Sequence, residues 1–408
     1  MKRGCIIALI WMLTVHMAAG QSLDDYLMMA DQNNPMLKAK LEEFEAAMQK
    51  IPQVGSLADP TVTVAAFGQM VETRVGQQMA RISLSQMFPW FGTLAAQKNA
   101  AALQAQANYE SYVESRNKLH FMIRKTYYEL VELEQVIELQ NENIEILETY
   151  KILATTKFQN GRGKLADALR VDLMLNDLRN EIEIITMKRK PLQTSFNKLL
   201  NRSVDDEIVV DSVFAPVEVW AIVADSIVAN NPRVQLLSRR VESAQAMERV
   251  AERQGMPKIG LGFEYIITSK RPNMDFADNG KDAWMPMVSV SLPIYRKKYR
   301  AAISESQHMQ ESYKAMMADT QNELITEYEL TSYDRAKAIE EITLFELQTT
   351  QTKQIVDLLV SEFSSADADF EEILRMQQKL LAYELSTTKS KKDFHTAQAR
   401  LLYLSANE

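Results

Sequence analysis

Few side chains in this sequence are placed to do covalent chemistry. His120, His308 and His395 are scattered along the chain, and no HExxH, GxSxG or Gly-rich phosphate loop occurs. Metal-dependent hydrolysis, acyl transfer and nucleotide chemistry therefore have no constellation to run on. The 22 methionines would suit a soft metal such as Cu(I). Met28-Met29 and Met316-Met317, however, are adjacent pairs in helical stretches, where neighbours do not share a face. Core filling accounts for them better, and no cofactor and no metal site is expected. The carboxylates that stand out are Asp367 and Asp369, at a turn. Repeated around a symmetry axis, they would make an acidic ring that favours cations and binds a divalent ion. The alternative is that they cap the helix that follows.

That turn has a counterpart. FQNGRGKLADALRVDL, Phe158 to Leu173, breaks a very long helical pattern at Gly161 and Gly163 and restarts it over Lys164–Asp167. About 205 positions later, FSSADADFEEILRMQQ spans Phe363 to Gln378. Phe158 aligns with Phe363, Asp167 with Glu372, and Leu169–Arg170 with Leu374–Arg375. Two hairpin tips at equivalent places indicate an internal duplication. Gly161 and Gly163 would permit the positive φ of a tight turn.

The totals bound the rest. The chain of 408 residues is 46% hydrophobic and 25% charged, which excludes both disorder and a bundle of membrane helices. Only 12 Gly and 11 Pro mean few turns and long elements. Residues 1–20 read as an export leader: Lys2 and Arg3, then an apolar run from Ile6 to Val15, then Ala18-Ala19-Gly20. The formal charge of −8 becomes more negative when Lys2 and Arg3 leave, which argues against a nucleic-acid partner. The only cysteine, Cys5, lies in the leader, so the exported chain is expected to lack thiols, disulfides and an N-terminal lipid anchor. No later apolar run is long enough for a membrane helix.

Ser22 to Lys50 reads as a helix that Asn34-Pro35 interrupts and that Pro52 and the Gly55–Pro60 run end. From Thr61 to Glu72 the pattern alternates, with Val62, Val64 and Ala66 opposite Thr61 and Thr63. After a turn near Arg74–Gly76, Ala80, Ile82 and Leu84 alternate with Arg81, Ser83 and Ser85. One apolar and one polar face suit strands with hydrocarbon on one side and water on the other, or a hairpin on a soluble core. Phe88-Pro89-Trp90-Phe91-Gly92 suits a membrane–water boundary or a buried corner. Thr93 to Gln159 is then helical, with an Ala-rich opening that allows close helix approach. A heptad seam follows through Leu119, Ile123, Thr126, Leu130, Leu133, Ile137, Gln140, Ile144 and Leu147. Lys164 to Leu200 is the return helix, and residues 201–216, with the β-prone Ile208-Val209-Val210, form a linker.

The second half replays the first. A helix is expected from Val217 through Gln254, with Asn231-Pro232 matching Asn34-Pro35. Lys258 to Thr268 alternates, with Leu261 and Phe263 on the apolar face, and Val288, Val290 and Leu292 follow after a polar loop. Residues 296–362 form the second long helix, Ser364–Asp369 the tip, and Phe370 to Leu404 the return. The organisation is a leader over 1–20, then a first repeat over 21–200 with a strand pair over 61–88 and a tip over 158–165. The linker over 201–216 leads to a second repeat over 217–408, with a strand pair over 258–293 and a tip over 363–370. The lipid-facing set would be Val62, Val64, Ile82, Leu84, Leu261, Phe263, Val288, Val290 and Leu292.

In each half, the first helix and the return helix together match the long helix in length, so stacked end to end they would cover it. Four strands cannot close a membrane barrel, and open edges are not tolerated in lipid. Three chains would give twelve strands, within the range of closed barrels, and enough helices for a hollow cylinder.

Through these repeats, their order, and the tip pattern Phe158-x-x-Gly161 followed by Asp167-x-Leu169, the sequence resembles the TolC family of outer-membrane efflux channels. The run Gln86-Met87-Phe88-Pro89-Trp90-Phe91-Gly92 resembles the metal-efflux branch. The resemblance implies a mainly α homotrimer with long antiparallel coiled-coil hairpins forming an α-barrel, and a shared 12-stranded β-barrel in the outer membrane. It also implies a passive, non-enzymatic exit duct for small molecules or metal ions across the periplasm. An adaptor (membrane fusion protein) that links it to an inner-membrane pump would dock on Asn160, Gly161, Gly163, Lys164, Leu165 and Asp167. The sequence departs from the pattern at Ala366, where a glycine is expected, and ends at Glu408, soon after the last helix. An exit channel for secreted proteins and a non-conducting periplasmic coiled-coil spacer remain the alternatives.

Overall fold

The computed structural model describes residues 22–219, 224–365 and 369–406. They fall into two compact units, each built from segments of both halves of the chain. The expected leader lies outside the described residues.

The sheet unit comprises Ala39–Val113 and Pro232–Gln321. Its strands are β1 (Thr61–Thr73), β2 (Gly76–Phe88), β3 (Lys258–Ser269) and β4 (Ala283–Ser291), antiparallel in the order β1-β2-β3-β4. The two strand pairs meet at β2 and β3, with Leu84 opposite Phe263 and Ile82 opposite Tyr265. The expected strand bounds hold closely, except that Leu292 lies one residue beyond β4. Gly76, with φ of +135°, is required at the β1–β2 turn because a Cβ there would come 1.8 Å from the Ser269 carbonyl oxygen. Among the described residues, β1 and β4 each pair on one side only.

The same unit also holds most of α2 (Pro35–Gly55), the first part of α3 (Thr93–Gln159), α7 (Pro232–Gln254) and the first part of α8 (Arg296–Ser365). The Ala-rich start of α3 does bring helices close, since Ala100 packs with Ala246 and Val250 of α7. Helix α2 runs through Pro52 to Gly55 rather than ending at the proline.

The helical unit holds the rest of α3 and α8 together with α1 (Leu23–Asn33), α4 (Leu165–Met187), α5 (Arg189–Leu199), α6 (Ala224–Asn230) and α9 (Phe370–Ser405). A capping box between Ser22 and Asp25 starts α1. The heptad seam of α3 is the core: seven of its nine positions are buried, and Ile137 and Ile144 are half-buried. The return expected as one helix over Lys164–Leu200 breaks at Lys188. Pro191 has no N–H to give to the carbonyl of Met187, so the ladder loses a bond there.

Residues 217–219 are not helical, and helix resumes among the described residues at Ala224. Ile208-Val209-Val210 does not form a strand, because side chains take up the backbone groups instead. The Tyr26 hydroxyl accepts from Val209 N–H at 3.0 Å and donates to its carbonyl at 3.2 Å. The Tyr127 hydroxyl does the same for Asp211, accepting from N–H at 3.0 Å and donating to the carboxylate at 2.8 Å. His395 donates to the Ala215 carbonyl at 3.1 Å and stacks on Phe214 at 5.5 Å. The inter-repeat segment is thus a strap stapled across the helices.

Candidate functional site

Two features could carry function, and each is confined to one unit. The first is the pair of helical tips. At the end of α3, Arg162 N–H reaches the Lys157 carbonyl and Gly161 N–H the Phe158 carbonyl, both at 2.9 Å. This is a Schellman termination, with Gly161 at φ of +70°. Gly163 does not take positive φ; its role is close approach, since a Cβ would lie 3.1 Å from Lys157 Cβ. Asn160, Gly161, Lys164 and Leu165 are exposed, as a docking tip requires. Asp167 is not: it is only 9% exposed, in the first turn of α4, with Arg170 at 3.5 Å. It belongs to the packing of the tip and leaves the expected docking set.

At the second tip α8 runs to Ser365, three residues past the expected end. Ala366 and Asp367 lie outside the described residues. Asp369 caps α9, its carboxylate accepting from Glu371 N–H at 3.1 Å. The tips are tied to each other. The Lys157 amine donates to the Phe363 carbonyl and sits 3.9 Å from that ring's centre, and Arg170 meets Glu371 at 3.1 Å. The aligned phenylalanines are not equivalent: Phe158 is 43% exposed, whereas Phe363 is 5% exposed and 4.9 Å from the Phe370 ring.

The second feature is the sheet. Its register puts Val62, Leu84, Phe263 and Pro286 in one row and Val64, Ile82, Tyr265 and Trp284 in the next, all on one face. This face is exposed along its length, with Val64 at 71% and Val288 at 73%. Leu261 and Val290 share it, while Leu292, also exposed, falls after the strand. The opposite face carries Thr61, Thr63, Ser83, Ser85, Ser289 and Ser291. It also holds an ion pair that pattern reading missed, Arg81–Glu264 at 2.7 Å, with Glu264 only 4% exposed. The signal was present, because Glu264 sits between Phe263 and Tyr265 in an alternating strand. Segment 270–282 folds onto the β1–β2 turn through Gly280 N–H to Val75 carbonyl at 2.6 Å and Arg271 to Glu72 at 3.0 Å.

Among the described residues, no group of three His, Cys, Asp or Glu side chains could hold a metal ion. No described helix is long and apolar enough to cross a membrane. His120 instead binds Asp31 at 2.7 Å, and His395 serves the strap.

Compared by sequence, no family profile and no curated protein matches the chain. Solved structures do match. CusC, whose study concerns transmembrane channel formation, aligns with a TM-score of 0.78 at 12% identity, covering 95% of this chain and 92% of its own. VceC, an outer-membrane protein of Vibrio cholerae, aligns at 0.75 and 15% identity over 94% and 95%. The outer-membrane channel MtrE of Neisseria gonorrhoeae, in its open state, aligns at 0.74 and 14% over 94% and 88%. The resemblance to TolC-family channels therefore holds at the level of architecture, and this chain, mainly helical with one four-stranded antiparallel sheet, has the fold of the outer-membrane channels.

Proposed function

We propose that the protein is the outer-membrane exit channel of an efflux system, a passive duct extending into the periplasm, and not an enzyme. The observation that carries this reading is the two-faced sheet. Among the described residues of its own unit, its apolar face has no cover and its outer strands lack partners on one side. Open backbone edges are not tolerated in hydrocarbon, so further copies of the sheet must close it, and three copies give a barrel of ordinary size. The serine- and threonine-bearing face then lines the water-filled interior. The exposed residues Asn160, Gly161, Lys164 and Leu165 are where a periplasmic adaptor would engage, linking the duct to an inner-membrane pump that supplies the energy.

Small molecules or metal ions are the cargo class of this reading. Planar-bilayer conductance of the purified protein, with its oligomer mass from the same sample, tests it. A trimer with stable openings is expected. A water-soluble monomer without conductance would replace the channel with a periplasmic spacer.

A further inference from the structure

Cations gather at one edge of the sheet unit without carboxylates to answer them. There β2 and β4 end and β3 begins, with Phe88 opposite Ile259 and Ser291 opposite Lys258. Helix α3 then starts at Thr93 and α8 at Arg296, and neither has an acidic residue in its first turn. Instead α8 opens with Arg296-Lys297-Lys298-Tyr299-Arg300. Positive charge at a helix N-terminus works against the macrodipole, and the chain as a whole carries a net charge of −8. A cavity of about 220 Å³ lies among these ends. Trp90, Thr93, Arg253, Lys258 and Lys298 line it, and no carboxylate does among the described residues. None of the three cations forms an ion pair among the described residues, and Lys298 lies 4.7 Å from the centre of the Tyr299 ring. Arg253 suits the C-terminal turn of α7, but helix dipoles give no reason for the two lysines. Thr93 is a second, independent sign. It is only 3% exposed, and its hydroxyl has no hydrogen-bond partner among the described residues, a costly state for a buried polar group.

We propose that this cavity binds a phosphate group. One tetrahedral oxyanion accepts at the same time from the Thr93 hydroxyl, the first-turn N–H groups of α3 and the ammonium groups of Lys258 and Lys298. Its charge offsets the cations and agrees with the dipoles of both helices that start there. The volume suits a group of that size and falls short of the roughly 300 Å³ at which pockets for drug-sized ligands begin. It is therefore a site for a small anion rather than a resting place for bulky cargo. Two sources carry the same chemistry, free phosphate and the headgroup of an anionic phospholipid. Phe91, Ile294 and Tyr295, 71–78% exposed, adjoin the cationic segments in sequence and give acyl chains an apolar footing. The cavity is complete within one chain. Only the lipid source rests on the channel reading, in which this edge of the sheet is a membrane–water boundary.

Calorimetric titration of the detergent-purified protein with inorganic phosphate tests the first source. Native mass spectrometry of protein released from nanodiscs of phosphatidylglycerol or of phosphatidylcholine tests the second. Saturable phosphate binding, or retention of phosphatidylglycerol over phosphatidylcholine, is the expected result. Lys258→Gln with Lys298→Gln should weaken it at least about tenfold. Thr93→Val, which keeps the side-chain shape, should also weaken it while the ligand-free protein melts no lower than the parent. A merely structural hydroxyl would give the reverse. Lys297→Gln removes a neighbouring charge that does not line the cavity and should leave binding little changed. Binding that the Lys258/Lys298 double variant keeps, or that Lys297→Gln weakens as much, overturns the site. A conducting trimer that binds neither ligand also overturns the site and leaves the channel standing. Phosphate binding by a protein without conductance keeps the site and removes the channel.

Discussion

Replacing Phe363 and Phe158, one at a time, by alanine separates what the two tips share in sequence from what they share in packing. Phe363 is 5% exposed, lies 4.9 Å from Phe370 and belongs to a cluster with Tyr150, Val171, Leu175 and Ile373. Truncating a buried phenylalanine costs about 3–5 kcal/mol. Loss of the Lys157 contact, at 3.9 Å from the ring centre, adds about 0.5–2 kcal/mol. Phe158 is 43% exposed, and its truncation should cost less than about 1 kcal/mol. Native-state hydrogen exchange at amides of the tip cluster reads the difference, because these open as a local unit. Phe363→Ala should lower their protection by at least about 100-fold, and Phe158→Ala by less than about tenfold. Equal losses in the two variants would refute the packing argument.

Other outcomes follow from the same geometry. Burial holds the His395 imidazole below its ordinary value of 6.5, and the bond to Ala215 only partly offsets this. The folded state therefore binds fewer protons than the unfolded one. The stability that neutral His395 lends the strap is full above about pH 6.5 and is lost as pH falls through the lower folded value. Exchange at Phe214 between pH 7.5 and pH 5 should show it, and a flat profile would contradict it. Gln140 is fully buried, and neither of its amide atoms has a hydrogen-bond partner among the described residues. Gln140→Leu should raise stability by about 1–2 kcal/mol in a denaturant midpoint, whereas a loss would mean the amide is satisfied in the assembly. Asp367→Asn with Asp369→Asn should lower cation selectivity in reversal potentials and weaken divalent block; unchanged values would remove the acidic ring. Asparagine also caps helices well, so α9 is retained in that variant.

Much of the fold is legible in the sequence because its elements are long and their periods clean. The period-two runs place β1 to β3 within a residue or two, and α3 spans the expected Thr93–Gln159. What was illegible depends on distant partners. Ile208-Val209-Val210 is β-prone, yet Tyr26 and Tyr127 hold its neighbourhood as a strap. Asp167 reads as a surface residue of a polar tip, yet tertiary packing covers it. Phe158 and Phe363 align, yet Phe363 is buried against the Phe370 ring of its own hairpin while Phe158 is exposed. The break at Lys188 was available locally, since Pro191 denies Met187 its donor.

The most direct test of the central claim is a scan of single spin labels along β4 in the protein reconstituted in lipid. Collision rates with oxygen and with a water-soluble nickel chelate would be measured at 287–291. Labels at Val288 and Val290 should favour oxygen, and those at Met287, Ser289 and Ser291 the chelate, alternating residue by residue. Equal access of the chelate to both faces would mean that the sheet never meets hydrocarbon, and the channel account would fall.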